Sequence, residues 1–319
     1  LGIFFIISVA PYALLSYFKH REIEIIKFII YAGLINALFL IGMFLFSDFK
    51  LFYISLLSKI DLLEVKGQDA IDSLYSMRLI GLTGSATYGM AVIQMVMSMV
   101  FVFYIHETRK SFGFYNYFVL FLFVFSAIIS GRTAFIGLFF LFLLIFFLNK
   151  KIEVVRFLFL LCLAAILFFV LAKYFLSESF YDFFENWIYQ FFSRDQRVDS
   201  LDENIGMLNL FKLSDFSLFG DLKWHADESR TTYYMSTDIG WYRFMFAFGA
   251  SGLLFFLLYL FSFVMFSLKV NAASLTVLLV NVFLMVVMFK GAILFDFYMV
   301  YFMLAIVFFF SNNGSSDAV

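Results

Sequence analysis

The chain has 319 residues, of which 64% are hydrophobic and 14% charged, with a net charge of −1 and a mean hydropathy of +0.98. This composition excludes a soluble globular domain, and the absence of a basic stripe excludes a nucleic-acid partner. It fits an all-α, polytopic helical membrane protein. The apolar runs are about 16 to 25 residues long, near the ~20 that cross a bilayer as helix, whereas barrel strands would alternate in ~10-residue pieces.

Hydropathy places about nine transmembrane helices: near 1–18, 25–46, 84–105, 114–130, 132–148, 154–176, 240–267, 272–289 and 292–310. Leu1 stands inside the first run, with no basic n-region or small-residue cleavage site, so the sequence reads as a fragment with N-terminal spans missing. Every second short connection is basic: Lys19, Arg21 and Lys27, then Arg109 and Lys110, then Lys150, Lys151 and Arg156, then Lys269. The positive-inside rule puts those connections in the cytoplasm together with the C-terminus. Residues 47–83, the Ser130-Gly131-Arg132 turn, the long loop 177–239 and the Lys290-Gly291 turn then lie outside.

The first outer loop, 47–83, ends in Arg78-Leu-Ile-Gly-Leu-Thr-Gly-Ser-Ala-Thr-Tyr-Gly89, where small residues permit irregular backbone or close helix packing. Arg132, in the tight turn between spans four and five, needs an anionic partner or water, or it snorkels to lipid phosphate. The large loop 177–239 opens on 178–193, where Phe180, Phe184, Trp187, Ile188 and Phe191 recur at helical spacing opposite Glu178, Asp182 and Glu185. That pattern predicts an amphipathic helix, either a lid over the membrane domain or a passive interfacial helix.

Farther along, His225, Asp227, Glu228 and Arg230 fall within six positions, as a candidate site or as a solvated charged face. The loop closes on Ser236-Thr-Asp-Ile-Gly-Trp-Tyr-Arg243, which brings an acid and a base to the bilayer edge. In the span that follows, Ala247, Gly249, Ala250, Ser251 and Gly252 form a small-residue patch that lets a neighbouring backbone approach. Asp296, in the last span, is an intramembrane carboxylate that either serves a function or neutralises an arginine. Cys162 is the single cysteine, and His20, His106 and His225 have no metal-ligand spacing, so neither metal nor cofactor is expected.

Arg78, Arg132, Arg243 and Lys290 all fall at outer ends of spans, at similar depth. Guanidinium forks at headgroup level suit a diphosphate, binding its oxygens in pairs and neutralising charge on a leaving phosphate. A flippase or transporter for a polyprenyl-linked glycan would also want such cations. It would need, in addition, polar residues through the middle of the membrane, and benefits from paired repeats that are not evident here.

The order Arg78-x-x-Gly-x-Thr-Gly, Ser130-Gly-Arg132-Thr-Ala-Phe-Ile-Gly-Leu138, a large outer loop, then Asp238-Ile-Gly-Trp-Tyr-Arg243 with Phe248-Gly-Ala-Ser-Gly-Leu253 resembles the O-antigen polymerases of the Wzy type and, more distantly, the O-antigen ligases. The resemblance covers about residues 75–310. It implies a GT-C-like, metal-independent glycosyltransferase of the bacterial inner membrane with one large periplasmic loop. Its partners would be an undecaprenyl-diphosphate-linked glycan donor and acceptor, membrane lipid, and a chain-length-regulating co-polymerase.

Carried onto this sequence, Arg132 and Arg243 would hold the donor diphosphate with Arg78 assisting, and Lys290 would add charge. Transfer to a hydroxyl also needs a base within hydrogen-bond reach. The ligases have a histidine shortly before the small-residue stretch, whereas here Thr237 and Asp238 occupy that neighbourhood. Asp238 is the first candidate for the base and His225 the second.

Overall fold

The computed structural model describes residues 2–17, 22–56, 79–82, 88–109, 113–148, 151–175, 206–208, 211, 215–226, 234–265, 272–291, and 300, 303 and 306. Among them every regular element is helical: α1 (Gly2–Tyr17), α2 (Glu22–Leu45), α3 (Ser47–Leu56), α4 (Tyr88–Glu107), α5 (Phe114–Ser130), α6 (Thr133–Leu148), α7 (Lys151–Phe175), α8 (Gly240–Met265) and α9 (Ala272–Val287). Three are long and apolar enough to cross a membrane, within Ile23–Leu45, Gly89–Glu107 and Gly240–Tyr259. Phe114–Ser130, Thr133–Leu148 and Ala272–Val287 are shorter apolar helices. The chain is therefore a helical protein with membrane-spanning segments. The expected amphipathic helix at 178–193, Arg78, Asp227, Glu228, Arg230, Asp296 and most of the ninth span lie outside the described residues.

The chain divides into two compact units, Leu1–Val155 with Leu254–Met288 and Ile293–Val319, and Arg156–Leu253 with Phe289–Ala292. In the first, α4 is the central element, packed by α2, α5, α6 and α9. Its residues from Met90 to Phe103 are nearly all buried, as expected of a helix that is apolar all round. Lipid tails are as apolar as these side chains, so close van der Waals packing has to hold the helices together. Gly137 of α6 supplies it, because a Cβ there would come within 2.6 Å of Met95 Cγ.

Polar side chains in this core turn back on the helix backbone. Ser126 Oγ donates to the Phe123 carbonyl, Ser98 Oγ to that of Met95 and Thr276 Oγ1 to that of Ala272. The Tyr117 hydroxyl donates to the Glu153 carboxylate.

Two stretches of the loop expected over 47–83 lie among the described residues. Residues 47–56 form α3, and residues 79–82 pack against α2, α3 and α4. Asn36 Oδ1 accepts the Leu82 N–H at 3.0 Å, while the Tyr53 hydroxyl donates to the Leu82 carbonyl at 3.4 Å. Gly81 lies against α4, where a Cβ would fall 2.3 Å from Met90 Sδ. The charged and apolar mixture of this loop had masked the helix. Phe46, Phe52 and Leu56 are exposed, while Lys50 and Ile54 are buried, the reverse of a soluble amphipathic helix.

Candidate functional site

Arg132 lies in the first unit. α5 ends where the Gly131 N–H reaches the Ala127 and Ile128 carbonyls, and α6 begins as the Ala134 and Phe135 N–H groups bond back to Gly131 and Arg132. Gly131 and Arg132 alone thus join the two helices and present Arg132 at the turn. Its side chain is half-buried, and that burial pulls the guanidinium below its ordinary value, although arginine stays charged in proteins.

Arg243, His225, Asp238 and Lys290 belong to the second unit, which is built around a break in α8. At Gly249 the backbone takes φ 71° and ψ −175°, a conformation open essentially to glycine alone. In an unbroken helix the Ala250 and Ser251 N–H groups would bond to the Phe246 and Ala247 carbonyls. Here the loop at 217–222 takes both sides of those bonds. Ala250 donates to the Ser217 carbonyl at 3.2 Å and Ser251 to that of Leu218 at 3.0 Å. The Phe246 carbonyl accepts from Asp221 at 2.7 Å and the Ala247 carbonyl from Leu222 at 3.0 Å. Ser251 Oγ adds a bond to the Leu218 carbonyl at 2.8 Å.

Two helix bonds are replaced by four backbone bonds to the loop, so the Phe246 and Ala247 carbonyls and the Ala250 and Ser251 N–H groups all keep partners. Non-helical backbone at membrane depth survives only under that condition. The crossing requires glycine on both strands. A Cβ on Gly249 would lie 2.3 Å from the Leu218 oxygen, and one on Gly220, also at φ 71°, would lie 2.5 Å from the Gly249 nitrogen. The small-residue patch at 247–252 thus receives a neighbouring backbone, and that backbone is the large loop itself.

The splice fixes what flanks it. Phe211, Phe216, Tyr242 and Phe246 form a ring cluster with centroid separations from 4.8 Å (Phe216–Phe246) to 6.4 Å (Phe211–Phe216). The Tyr242 hydroxyl donates to the Leu208 carbonyl at 2.9 Å. On the loop, the Tyr234 hydroxyl donates to Asp221 Oδ2 at 3.2 Å, and desolvation together with that carboxylate raises its pKa. The turn Tyr234–Ser236 carries Met235 and Ser236 at positive φ.

The entry to α8 is set by Thr237. It is fully buried, and its Oγ1 accepts the Ile239 N–H at 3.3 Å, a local bond that starts the helix at Gly240. Asp238 is left exposed beside it. One turn later Arg243 is only 3% exposed, with its guanidinium 4.5 Å from the centre of the Trp224 ring. A planar cation stacked on an indole is worth about 0.5 to 2 kcal/mol and keeps its outer edge oriented for an anion. His225, half-buried, directly follows Trp224 in the chain. Lys290, also half-buried, follows Phe289, whose ring lies 6.4 Å from that of Trp241.

The second unit thus brings Arg243, His225, Asp238 and Lys290 onto neighbouring segments. Trp224 and Gly220 were not singled out in the sequence. The available signal was a glycine and a tryptophan within a charged run, Gly220-Asp-Leu-Lys-Trp-His225, that had no helical or strand period.

The chain matches no protein-family model, no curated protein and no solved structure.

Proposed function

We propose that this protein is a surface-polysaccharide polymerase of the O-antigen type. It joins undecaprenyl-diphosphate-linked repeat units by glycosyl transfer at the periplasmic face of the bacterial inner membrane, on a GT-C-like scaffold of about nine spans. The observation that carries this reading is Arg243, a guanidinium buried at the start of an apolar helix and stacked on Trp224. Stacking on an indole leaves the edge of a guanidinium oriented, and such a planar fork binds the paired oxygens of a phosphate.

In the proposed reaction an acceptor sugar hydroxyl attacks the anomeric carbon of the donor glycan. The bond from that carbon to the diphosphate oxygen breaks, and the lipid diphosphate leaves with the electron pair. Arg243, with Lys290 of the same unit, holds that diphosphate and neutralises its growing charge, and the resemblance implies the same role for Arg132 and Arg78. Asp238 receives the hydroxyl proton, a role for which its exposure beside the helix start suits it.

His225 supports a second reading. It follows Trp224, the residue stacked on Arg243, and the O-antigen ligases that the chain more distantly resembles use a histidine, although theirs lies shortly before the small-residue stretch and His225 lies well upstream.

Deleting the gene and comparing surface polysaccharide by gel tests the reading. Lipid A-core carrying a single repeat unit identifies the missing step as polymerisation. Lipid A-core with no repeat unit attached moves ligase or flippase ahead.

A further inference from the structure

Lys50 of α3 is 6% exposed, and among the described residues no side chain pairs with its ammonium. It sits in the first unit, in a helix whose other faces contradict a water-exposed role. Phe49, Leu51, Phe52 and Leu56 are 36%, 46%, 60% and 64% exposed. Phe49, Phe52 and Leu56 follow one another at helical spacing on one ridge, which Phe39 extends through edge contacts with Phe49 and Tyr53 at 5.1 and 4.6 Å.

A helix that turns its rings outward and its one cation inward is matched to surroundings that are apolar outside and anionic at one point. In a membrane protein, a lipid whose head carries phosphate and whose tail is hydrocarbon supplies both. The neighbouring backbone is already committed: the Leu82 N–H to Asn36, and the Gly81 and Leu82 carbonyls to the Tyr53 hydroxyl. The lysine is therefore the group left to meet a headgroup.

We propose that Lys50 is the phosphate-binding group of a lipid site in the first unit, with the lipid tail lying along Phe49, Phe52 and Leu56. That the lipid is a glycan carrier rests on the polymerase reading; that it bears phosphate does not. Burial lowers the Lys50 ammonium from its ordinary value to about 8, so an unoccupied site loses its charge just above neutral pH. Among the described residues no other titratable group of α2 or α3 competes for this role. Asp48 on α3 is exposed, Tyr53 is engaged as above, and Glu24 and Lys27 are exposed at the opposite end of α2.

The test is native mass spectrometry of the full chain in detergent, titrated separately with undecaprenyl diphosphate, dioleoylphosphatidylglycerol and inorganic pyrophosphate. Lys50→Met, which preserves the stem, should weaken lipid binding by about 10- to 100-fold, the usual worth of a hydrogen bond to a charged group, and Lys50→Arg should restore it. A preference for undecaprenyl diphosphate over phosphatidylglycerol identifies the carrier, and equal binding of the two identifies an ordinary anionic lipid; either supports the site. Pyrophosphate binding as tightly as the lipids would remove the role of the tail and overturn the proposal. Unchanged lipid binding in Lys50→Met would overturn it too, as would rescue of a destabilised Lys50→Met by Asp61→Asn or Glu64→Gln, which would mark an internal ion pair. If Lys50→Met fails to fold, the wild-type chain gives the answer alone, because lipid binding should fall as pH rises from 7 to 9, and a flat profile would refute the site.

Discussion

Gly249→Ala is the substitution that most directly probes how α8 and the loop are held together. Its Cβ would meet the Leu218 oxygen at 2.3 Å and the Gly220 nitrogen at 2.4 Å, both backbone atoms with nowhere to move. The backbone conformation itself costs a non-glycine residue about 1–3 kcal/mol. The least costly escape is for the loop to leave and α8 to straighten. Four loop bonds are then lost and two helix bonds regained, a net loss of two at about 0.5–1.5 kcal/mol each. Losing the Arg243–Trp224 stacking adds about 0.5–2 kcal/mol, and alanine in a continuous helix returns about 1 kcal/mol. The lost bonds and stacking resist opening in the wild type too; what the substitution adds is the backbone strain of about 1–3 kcal/mol in the closed state and the alanine gain of about 1 kcal/mol in the open one, together about 2 to 4 kcal/mol, so the open state should gain about 30- to 1000-fold in population.

Amide hydrogen exchange reads this out with a specific signature. Asp221 and Leu222 should lose protection, because their acceptors are recaptured by the helix, while Ala250 and Ser251 stay protected through renewed bonds to Phe246 and Ala247. Gly113→Ala is the control, since a Cβ there meets nothing within 4 Å. Unchanged protection at Asp221 and Leu222 in Gly249→Ala would refute the exchange of bonds between loop and helix.

Three further outcomes follow from the same geometry. Trp224→Leu should loosen Arg243 by about 0.5–2 kcal/mol and cut chain extension by about 2- to 30-fold without changing membrane insertion, whereas Trp224→Phe should retain more; equal activity of all three chains would remove the stacking from the account. Thr237→Val deletes the acceptor of the Ile239 N–H and should destabilise the chain by about 0.5–1.5 kcal/mol, read as a lowered thermal midpoint in detergent. Asn281, 3% exposed on α9, has neither amide atom hydrogen-bonded among the described residues, so Asn281→Leu should stabilise the first unit by about 1–3 kcal/mol. A lower thermal midpoint in that variant would mean the amide has a partner after all.

What the sequence made legible was set by the bilayer. α2, α4, α5, α6, α7, α8 and α9 stand where apolar runs stand, and three of them are long and apolar enough to cross a membrane, because hydropathy over a long window outweighs local detail. The Ser130-Gly131-Arg132 turn was legible for a related reason, since two such runs that meet at Gly131 leave room only for a reversal. The patch at 247–252 announced a close approach but not its partner, because nothing local in Ser217–Leu222 encodes a bond to a residue thirty positions on. The Trp224–Arg243 pair was hidden in the same way, being made by the splice rather than by spacing. α3 was missed because its exposed face is apolar and its charge is buried, a pattern that reads as irregular loop when a water-facing surface is assumed.

The measurement closest to the central claim is reconstitution. The purified chain in liposomes is given undecaprenyl-diphosphate-linked repeat units as the sole substrate, and the products are resolved on a gel. A ladder of lengthening glycans is expected, lost in Arg243→Ala and Asp238→Ala although both variants insert normally. An unextended repeat unit with the wild-type chain, or a full ladder with Arg243→Ala, would contradict it.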